Sequence, residues 1–251
     1  MSEDLSAREA GFDTASLDRF LRDALPDFDG PMRIERIAGG QSNPTFFVTA
    51  GSRRLVLRKQ PTGDLLPSAH AIDREFRVMD ALRDTGVPVP DVLLYCDRRE
   101  IIGTPFYLME RLDGRVFHEG ALPGVAPEHR RLMYRSFAET LARLHNVDAD
   151  AVGLGDFGRR GGYYARQLAR WTRQWQLSRA RDDANIERLI VWLSQNIPAE
   201  DLTAITHGDF RLGNVMFHPH EPRVVAILDW ELSTLGHPLA DLAHCCMTWD
   251  S

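Results

Sequence analysis

The chain predicts an α+β fold in two parts, an antiparallel sheet assembled first and a mainly helical remainder after it. Short β-rich runs broken by glycine crowd residues 33–58, helical apolar stripes flank and follow them, and no segment repeats or falls into low complexity. The expected organisation is a first lobe at 1–109, a connector at 110–114 and a helical lobe at 115–251.

Leu17, Phe20, Leu21 and Leu25 recur at helical spacing, which predicts an amphipathic helix over about Thr14 to Leu25 lying against the first lobe. The runs Arg33 to Ala38, Thr45 to Ala50 and Arg54 to Arg58 follow as a β-meander. Between the first two lies Gly39-Gly40-Gln41-Ser42-Asn43, where glycine lets backbone amides come close to an anion. Gly40, Gln41, Ser42 and Asn43 are therefore candidate phosphate-loop residues, although a glycine pair also makes an ordinary hairpin turn. In the third strand, alternation puts Val56 and Arg58 on one face and Leu57 and Lys59 on the other, so one cation can face a cleft. Arg58 is favoured; Lys59 is the alternative if a bulge reverses the facing.

Ile72, Phe76, Met79 and Leu82 form the next helical stripe, within Ser68 to Asp84, and Gly86 and Pro88 stop it. Glu75 falls along that stripe. A carboxylate facing a core wants a cation, because an unpaired buried charge is expensive, and Arg58 can supply it. Phe106 to Met109 reads as the last strand of the lobe, followed by the connector Glu110-Arg111-Leu112-Asp113-Gly114. Arg130 to Asn146, with Leu132, Phe137, Leu141 and Leu144, then Tyr163 to Leu177 and Ile186 to Leu193, read as helices. Trp171 and Trp175 are expected to pack in the core.

With 251 residues and 43% hydrophobic content, the chain can bury one large core or two modest ones. A net charge of −6 argues against nucleic acid as partner, since phosphate binders concentrate Lys and Arg. No basic-then-apolar leader and no apolar run of membrane-spanning length is present, so no membrane partner and a cytoplasmic location are expected. Cys96, Cys245 and Cys246 match neither a disulfide framework nor a C-x-x-C metal site, and read as buried small apolar residues. The spacings of His207, His218, His220, His237 and His244 match no compact zinc pattern.

The most informative stretch is His207-Gly208-Asp209-Phe210-Arg211-Leu212-Gly213-Asn214, followed by Ile227-Leu228-Asp229-Trp230-Glu231 at the end of an apolar run. Phosphoryl transfer requires one carboxylate to receive a hydroxyl proton, plus hard oxygen ligands for magnesium. Asp209, Asn214 and Asp229 supply these in order, with four residues between the first two as in the protein-kinase catalytic loop. Glu231 either supports magnesium through water or faces solvent.

On these motifs the chain resembles the aminoglycoside phosphotransferase and choline kinase superfamily, whose members carry this His-Gly-Asp loop. The resemblance implies a protein-kinase-like two-lobe fold, C-terminally short because relatives continue through further helices beyond the point where this chain stops. It implies ATP and Mg2+ as cofactors, with Asp209 as the catalytic residue and Asn214 and Asp229 on the metal. Gly40, Gln41, Ser42, Asn43, Arg58 or Lys59, and Glu75 would serve the phosphates, and the backbone of Glu110 and Leu112 the adenine. Asp241, in Gly236-His237-Pro238-Leu239-Ala240-Asp241, resembles the residue that buttresses the catalytic loop, with His207 beside it. Within the superfamily, Leu57-Arg58-Lys59-Gln60-Pro61, Asp73-Arg74-Glu75 and Leu228-Asp229-Trp230-Glu231-Leu232 resemble the kinase-like domains associated with acyl-CoA dehydrogenases. That likeness implies a small-molecule hydroxyl acceptor, a hydroxyacyl-CoA or hydroxy acid; the superfamily also admits aminoglycoside or choline-like alcohols. A nucleotide-binding module without acceptor turnover is the alternative.

Overall fold

The computed structural model describes residues 10–37, 43–63 and 71–247. Gly40, Gln41 and Ser42 of the expected phosphate loop lie outside them. The chain divides into two compact units, Met1–Thr140 with Leu212–Glu231, and Leu141–Arg211 with Leu232–Ser251. The expected connector at 110–114 falls inside the first unit.

Helix α1 (Thr14–Ala24) starts at Asp13, whose carboxylate accepts from the amides of Ala15 and Ser16 at 3.0 and 3.2 Å. This is an N-cap satisfying donors that have no helical partner. Strands β1 (Arg33–Arg36), β2 (Thr45–Ala50), β3 (Arg53–Lys59), β4 (Val92–Cys96) and β5 (Phe106–Glu110) form one antiparallel sheet in the order β1-β2-β3-β5-β4. Alternation then sorts the side chains. Leu55 and Leu57 of β3, with Phe106 and Leu108 of β5, join Leu17 and Leu21 of α1 in one apolar cluster. Val56, Arg58, Tyr107 and Met109 occupy the opposite face. There helix α2 (Ile72–Leu82) buries Ile72, Glu75, Val78, Met79 and Leu82, and the Phe76 ring meets Tyr95 at a tilt and Tyr107 edge-on.

After the one-turn helix α3 (Arg99–Ile102), the short strand β6 (Arg115–Val116) pairs with β8 (Val215–Phe217), and β8 with β9 (Val224–Ile227). This three-stranded ribbon, unrecognised in the sequence because its strands are two to four residues long, completes the first unit. Helix α4 (Pro127–His145) buries Met133, Phe137, Leu141 and Leu144. Leu132, expected on that stripe, is exposed; Met133 holds the position at the regular spacing.

In the second unit, β7 (Ala204–Thr206) pairs antiparallel with β10 (Thr234–Gly236), and α7 (Pro238–Cys246) follows. Helices α5 (Tyr163–Ser178) and α6 (Ala184–Gln195) bury no residue. Trp171 is 61% exposed, so the core role expected of it does not hold, while Trp175 is half-buried; the two helices pack on each other, and Tyr164 meets the His237 ring at 4.8 Å. Cys96 is buried, whereas Cys245 is half-buried and Cys246 exposed. Among the described residues no helix is long and apolar enough to cross a membrane.

Candidate active site

Arg58 sits at the centre of a charged cluster on the inner face of the sheet. Its Nε lies 3.0 Å from Glu75 Oε2, an ion pair without the alignment of a hydrogen bond, and its terminal NH2 donates to Asp229 Oδ1 at 2.6 Å. Glu231 approaches the same nitrogen at 3.8 Å. Burial disfavours the charge on Arg58, but Glu75, Tyr107 and Asp229 outweigh it and hold the guanidinium above its ordinary value. Lys59 points to the other face, over the Phe12 ring at 5.8 Å, and burial lowers its pKa. The absence of a bulge in the β2–β3 and β3–β5 pairing removes Lys59 as a candidate phosphate ligand.

Glu75 is 1% exposed and receives hydrogen bonds from Asn43 Nδ2 at 2.7 Å and Tyr107 Oη at 3.0 Å. Burial pushes its pKa up to about 7, against the opposing pull of Arg58 and the two hydrogen bonds. Asn43, expected in the phosphate loop, is itself buried, with its amide turned to Glu75 rather than presented to a ligand. Tyr107 escaped notice because a tyrosine in a strand reads as core; its position opposite Arg58 in the β3–β5 register is a long-range fact.

Asn214 and Asp229 meet through the β8–β9 ribbon. Asn214 closes a 3-10 turn (Leu212–Asn214) just before β8, and Asp229 follows β9 by two residues. The register Val215↔Ile227, extended by Leu228 N donating to Asn214 O at 2.8 Å, brings both to one end of the ribbon. Asp229 has φ +64°, a left-handed conformation uncommon for a residue with a Cβ. Such outliers gather at functional positions and are held by their surroundings, here by Arg58.

Both residues line a cavity of about 450 Å³ within the first unit. Its walls are Ile37, Phe47, Val56, Met79, Met109, Leu112 and Leu228, and Arg58, Asn214 and Asp229 bring charge and oxygen donors to it. Glu110 and Leu112 also line it. The Glu110 amide is donated to Asp91 O at 2.8 Å, which restricts the expected contact of that residue to its carbonyl. An apolar cavity of this size with a few convergent polar groups is the usual form of a small-molecule site. It suits a flat apolar group carrying an anionic tail. Magnesium generally takes one or two protein carboxylates and completes its shell from phosphates and water, so the oxygens of Asn214 and Asp229 fit it.

The second unit holds Asp209. Asp241, 1% exposed, accepts from the amides of His207 and Gly208 at 2.8 Å each and lies 3.0 Å from His145 Nε2. Burial alone would raise its pKa, but these hydrogen bonds outweigh it and hold the carboxylate below its ordinary value. His207 is buried, and its Nδ1 accepts from the Asp209 amide at 3.2 Å. Gly208 has φ +85°, and a Cβ there would stand 2.6 Å from Leu232 O. Asp209 Oδ1 lies 2.8 Å from His244 Nε2, and Arg211 Nε approaches both carboxylate oxygens at 3.1 and 3.2 Å. His244 was missed; its spacing of three from Asp241 on a helix was the available signal.

A rat protein, acyl-CoA dehydrogenase family member 11, is 49% identical over 238 residues, covering 93% of this chain and 31% of that protein. Mouse acyl-CoA dehydrogenase family member 10 is 47% identical over 235 residues, 93% of this chain and 22% of that protein. The chain thus spans less than a third of these relatives. A protein from Ralstonia eutropha JMP134, described as a candidate aminoglycoside phosphotransferase, superposes with a TM-score of 0.87 at 45% identity, over 96% of this chain and 71% of that one. A macrolide 2'-phosphotransferase type I shares the fold at TM-score 0.73 and 19% identity, over 99% of this chain and 80% of that one. The fold is the protein-kinase-like α+β fold of these phosphotransferases. The model of the phosphotransferase enzyme family matches residues 33–251, a span that takes in the Arg58 cluster, the Asn214 and Asp229 ribbon and the Asp209 loop alike, and the chain belongs to that family.

Proposed function

We propose that this chain transfers the γ-phosphate of ATP to a hydroxyl group of a small molecule. The observation that carries the reading is the apolar cavity into which Arg58, Asn214 and Asp229 bring one cation and two hard oxygen donors. The adenine occupies the apolar walls near the Glu110 carbonyl and the Leu112 amide, and Arg58 binds phosphate oxygens with its planar fork. Asn214 and Asp229 are the residues that would hold magnesium, which when bound neutralises charge across the phosphates. Asp209 accepts the hydroxyl proton. Asp241 and His207 hold the loop that carries it, and Glu75 orients Arg58. Two neighbours at 16% identity support nucleotide as the donor: APH(4)-Ia in complex with ADP and hygromycin B, and APH(2")-IIa with ATP and streptomycin.

The acceptor is a hydroxyacyl-CoA or hydroxy acid, supported by the acyl-CoA dehydrogenase names of relatives nearly half identical over this segment. The test is magnesium-dependent ADP release from ATP with and without hydroxyacyl-CoAs, hydroxy acids, choline and aminoglycosides. Stimulation is expected with the first two classes. Asp209→Asn should lower turnover on the order of 10²–10⁴-fold, the usual scale of general base catalysis, with ATP affinity kept. ATP binding without stimulated release by any acceptor would instead mark a nucleotide-binding module.

A further inference from the structure

Helix α7 engages the Asp209 loop at three consecutive residues. Asp241 and His244 are three positions apart, so they project from one side of the helix. Asp241 takes the amides of His207 and Gly208, and His244 Nε2 meets Asp209 Oδ1 at 2.8 Å. The same helix that fixes the backbone of the loop thereby reaches the carboxylate at its tip.

We propose that His244 is the positioning residue for Asp209, donating its Nε2 proton to Oδ1 and holding the carboxylate in one rotamer. This rests on the reading of Asp209 as the group that accepts the hydroxyl proton. The contact is made by a short side chain from a helix whose first turn is anchored by Asp241, itself held by His145. Arg211, which also approaches Asp209, lies on the loop itself with its side chain 48% exposed, so water competes for it and its hold is weak. His244 is less exposed, at 36%, and Asp209 less still, at 25%. The neutral ring protonated at Nε2 and the imidazolium both donate at this atom, so the arrangement survives either charge state. A carboxylate that receives a proton must be aimed before the hydroxyl arrives, and misplacement by about 1 Å costs roughly 10²-fold in rate.

The test compares the full chain with His244→Phe, which keeps a ring without a donor, and His244→Gln, which keeps an N–H at similar reach. Magnesium-ATP turnover is measured with water as acceptor and with any acceptor that stimulates the wild type, while ATP affinity is followed by calorimetry. His244→Phe is expected to lower kcat 10- to 100-fold with ATP affinity within twofold. His244→Gln should recover most of the loss. Added to Asp209→Asn, His244→Phe should have no further effect, because residues acting as a unit are not additive. Should the Phe variant fail to fold, His244→Ala takes its place in the same comparison. Equal losses in the Phe and Gln variants, or a full additional loss in the Asp209→Asn background, would overturn the inference and leave Asp209 its role. Full activity in Asp209→Asn, or a wild type that binds magnesium-ATP and never turns it over, would overturn the reading of Asp209 and the inference with it.

Discussion

Arg58 and Asp229 are joined at 2.6 Å although 171 positions separate them in the chain. One guanidinium thus serves two carboxylates with different tasks. Glu75 is buried beside the sheet, 1% exposed, while Asp229 is 35% exposed at the end of the ribbon, accessible as the proposed magnesium ligand has to be.

Removing the cation should expose the cost of burying Glu75. Arg58→Met is expected to destabilise the chain by about 2–4 kcal/mol at pH 8, below the ~3–5 kcal/mol of a fully stranded charge because Glu75 can take up a proton. Arg58→Lys should lose less stability but weaken ATP binding, since an ammonium cannot grip two oxygens at once. Urea unfolding and nucleotide titration measure the two effects; an Arg58→Met chain as stable as wild type would mean the pair contributes nothing.

The raised pKa of Glu75 gives stability a pH dependence of definite sign. Its folded value of about 7 exceeds its ordinary 4.5, so the protonated form is the one that folding favours. The contribution is fully present below about pH 4.5 and is lost as pH rises through about 7. At about 1.4 kcal/mol for each pH unit, wild type should fall relative to Glu75→Gln by up to roughly 3 kcal/mol across that window. Asp241, whose pKa is lowered, acts in the opposite direction, losing its contribution below the ordinary carboxylate range. Parallel curves for wild type and Glu75→Gln between pH 4.5 and 7.5 would contradict the assignment.

Asp229→Asn separates charge from backbone. Asparagine tolerates the left-handed conformation at φ +64°, so the stability lost should be that of the Arg58 ion pair, on the order of 1 kcal/mol, with no backbone cost added. Magnesium-dependent ATP affinity should drop at least about tenfold, as when a charge-assisted ligand worth some 1.4 kcal/mol or more is lost. Asp229→Val should add a backbone cost on the order of 1–3 kcal/mol. Unchanged magnesium dependence in the Asn variant would remove Asp229 as a ligand.

Gly208→Ala tests why glycine precedes Asp209. The backbone there is left-handed, and the added Cβ would stand 2.6 Å from Leu232 O. A loss exceeding about 1 kcal/mol is expected, the scale on which an incompatible Gly-to-Ala change outweighs its unfolded-state benefit. Turnover should fall with it, because the loop must shift. Wild-type melting and activity would show that the loop has room to spare.

The amino-acid sequence by itself determined what local periodicity and spacing encode. The helix over Thr14–Ala24, the meander of β1 to β3, the facing of Arg58 away from Lys59, and the burial of Glu75 all follow from periods of two and 3.6 residues. The run from His207 to Asn214 stood out because its parts lie within eight residues, and its catalytic reading is the one proposed above. Tertiary structure decided the rest. Strands of two to four residues such as β6, β7 and β10 have no period to read, and exist because a distant strand completes their hydrogen bonds. Asn43 and Tyr107 gained their roles from pairing with Glu75, which lies 32 positions from each. His244 met Asp209 because one helix face covers consecutive loop residues. Trp171 looked like core by composition and is exposed, since burial depends on what packs opposite a helix and not on the helix alone. Local sequence sets which way a side chain points along its own element; only the folded chain sets what it meets there.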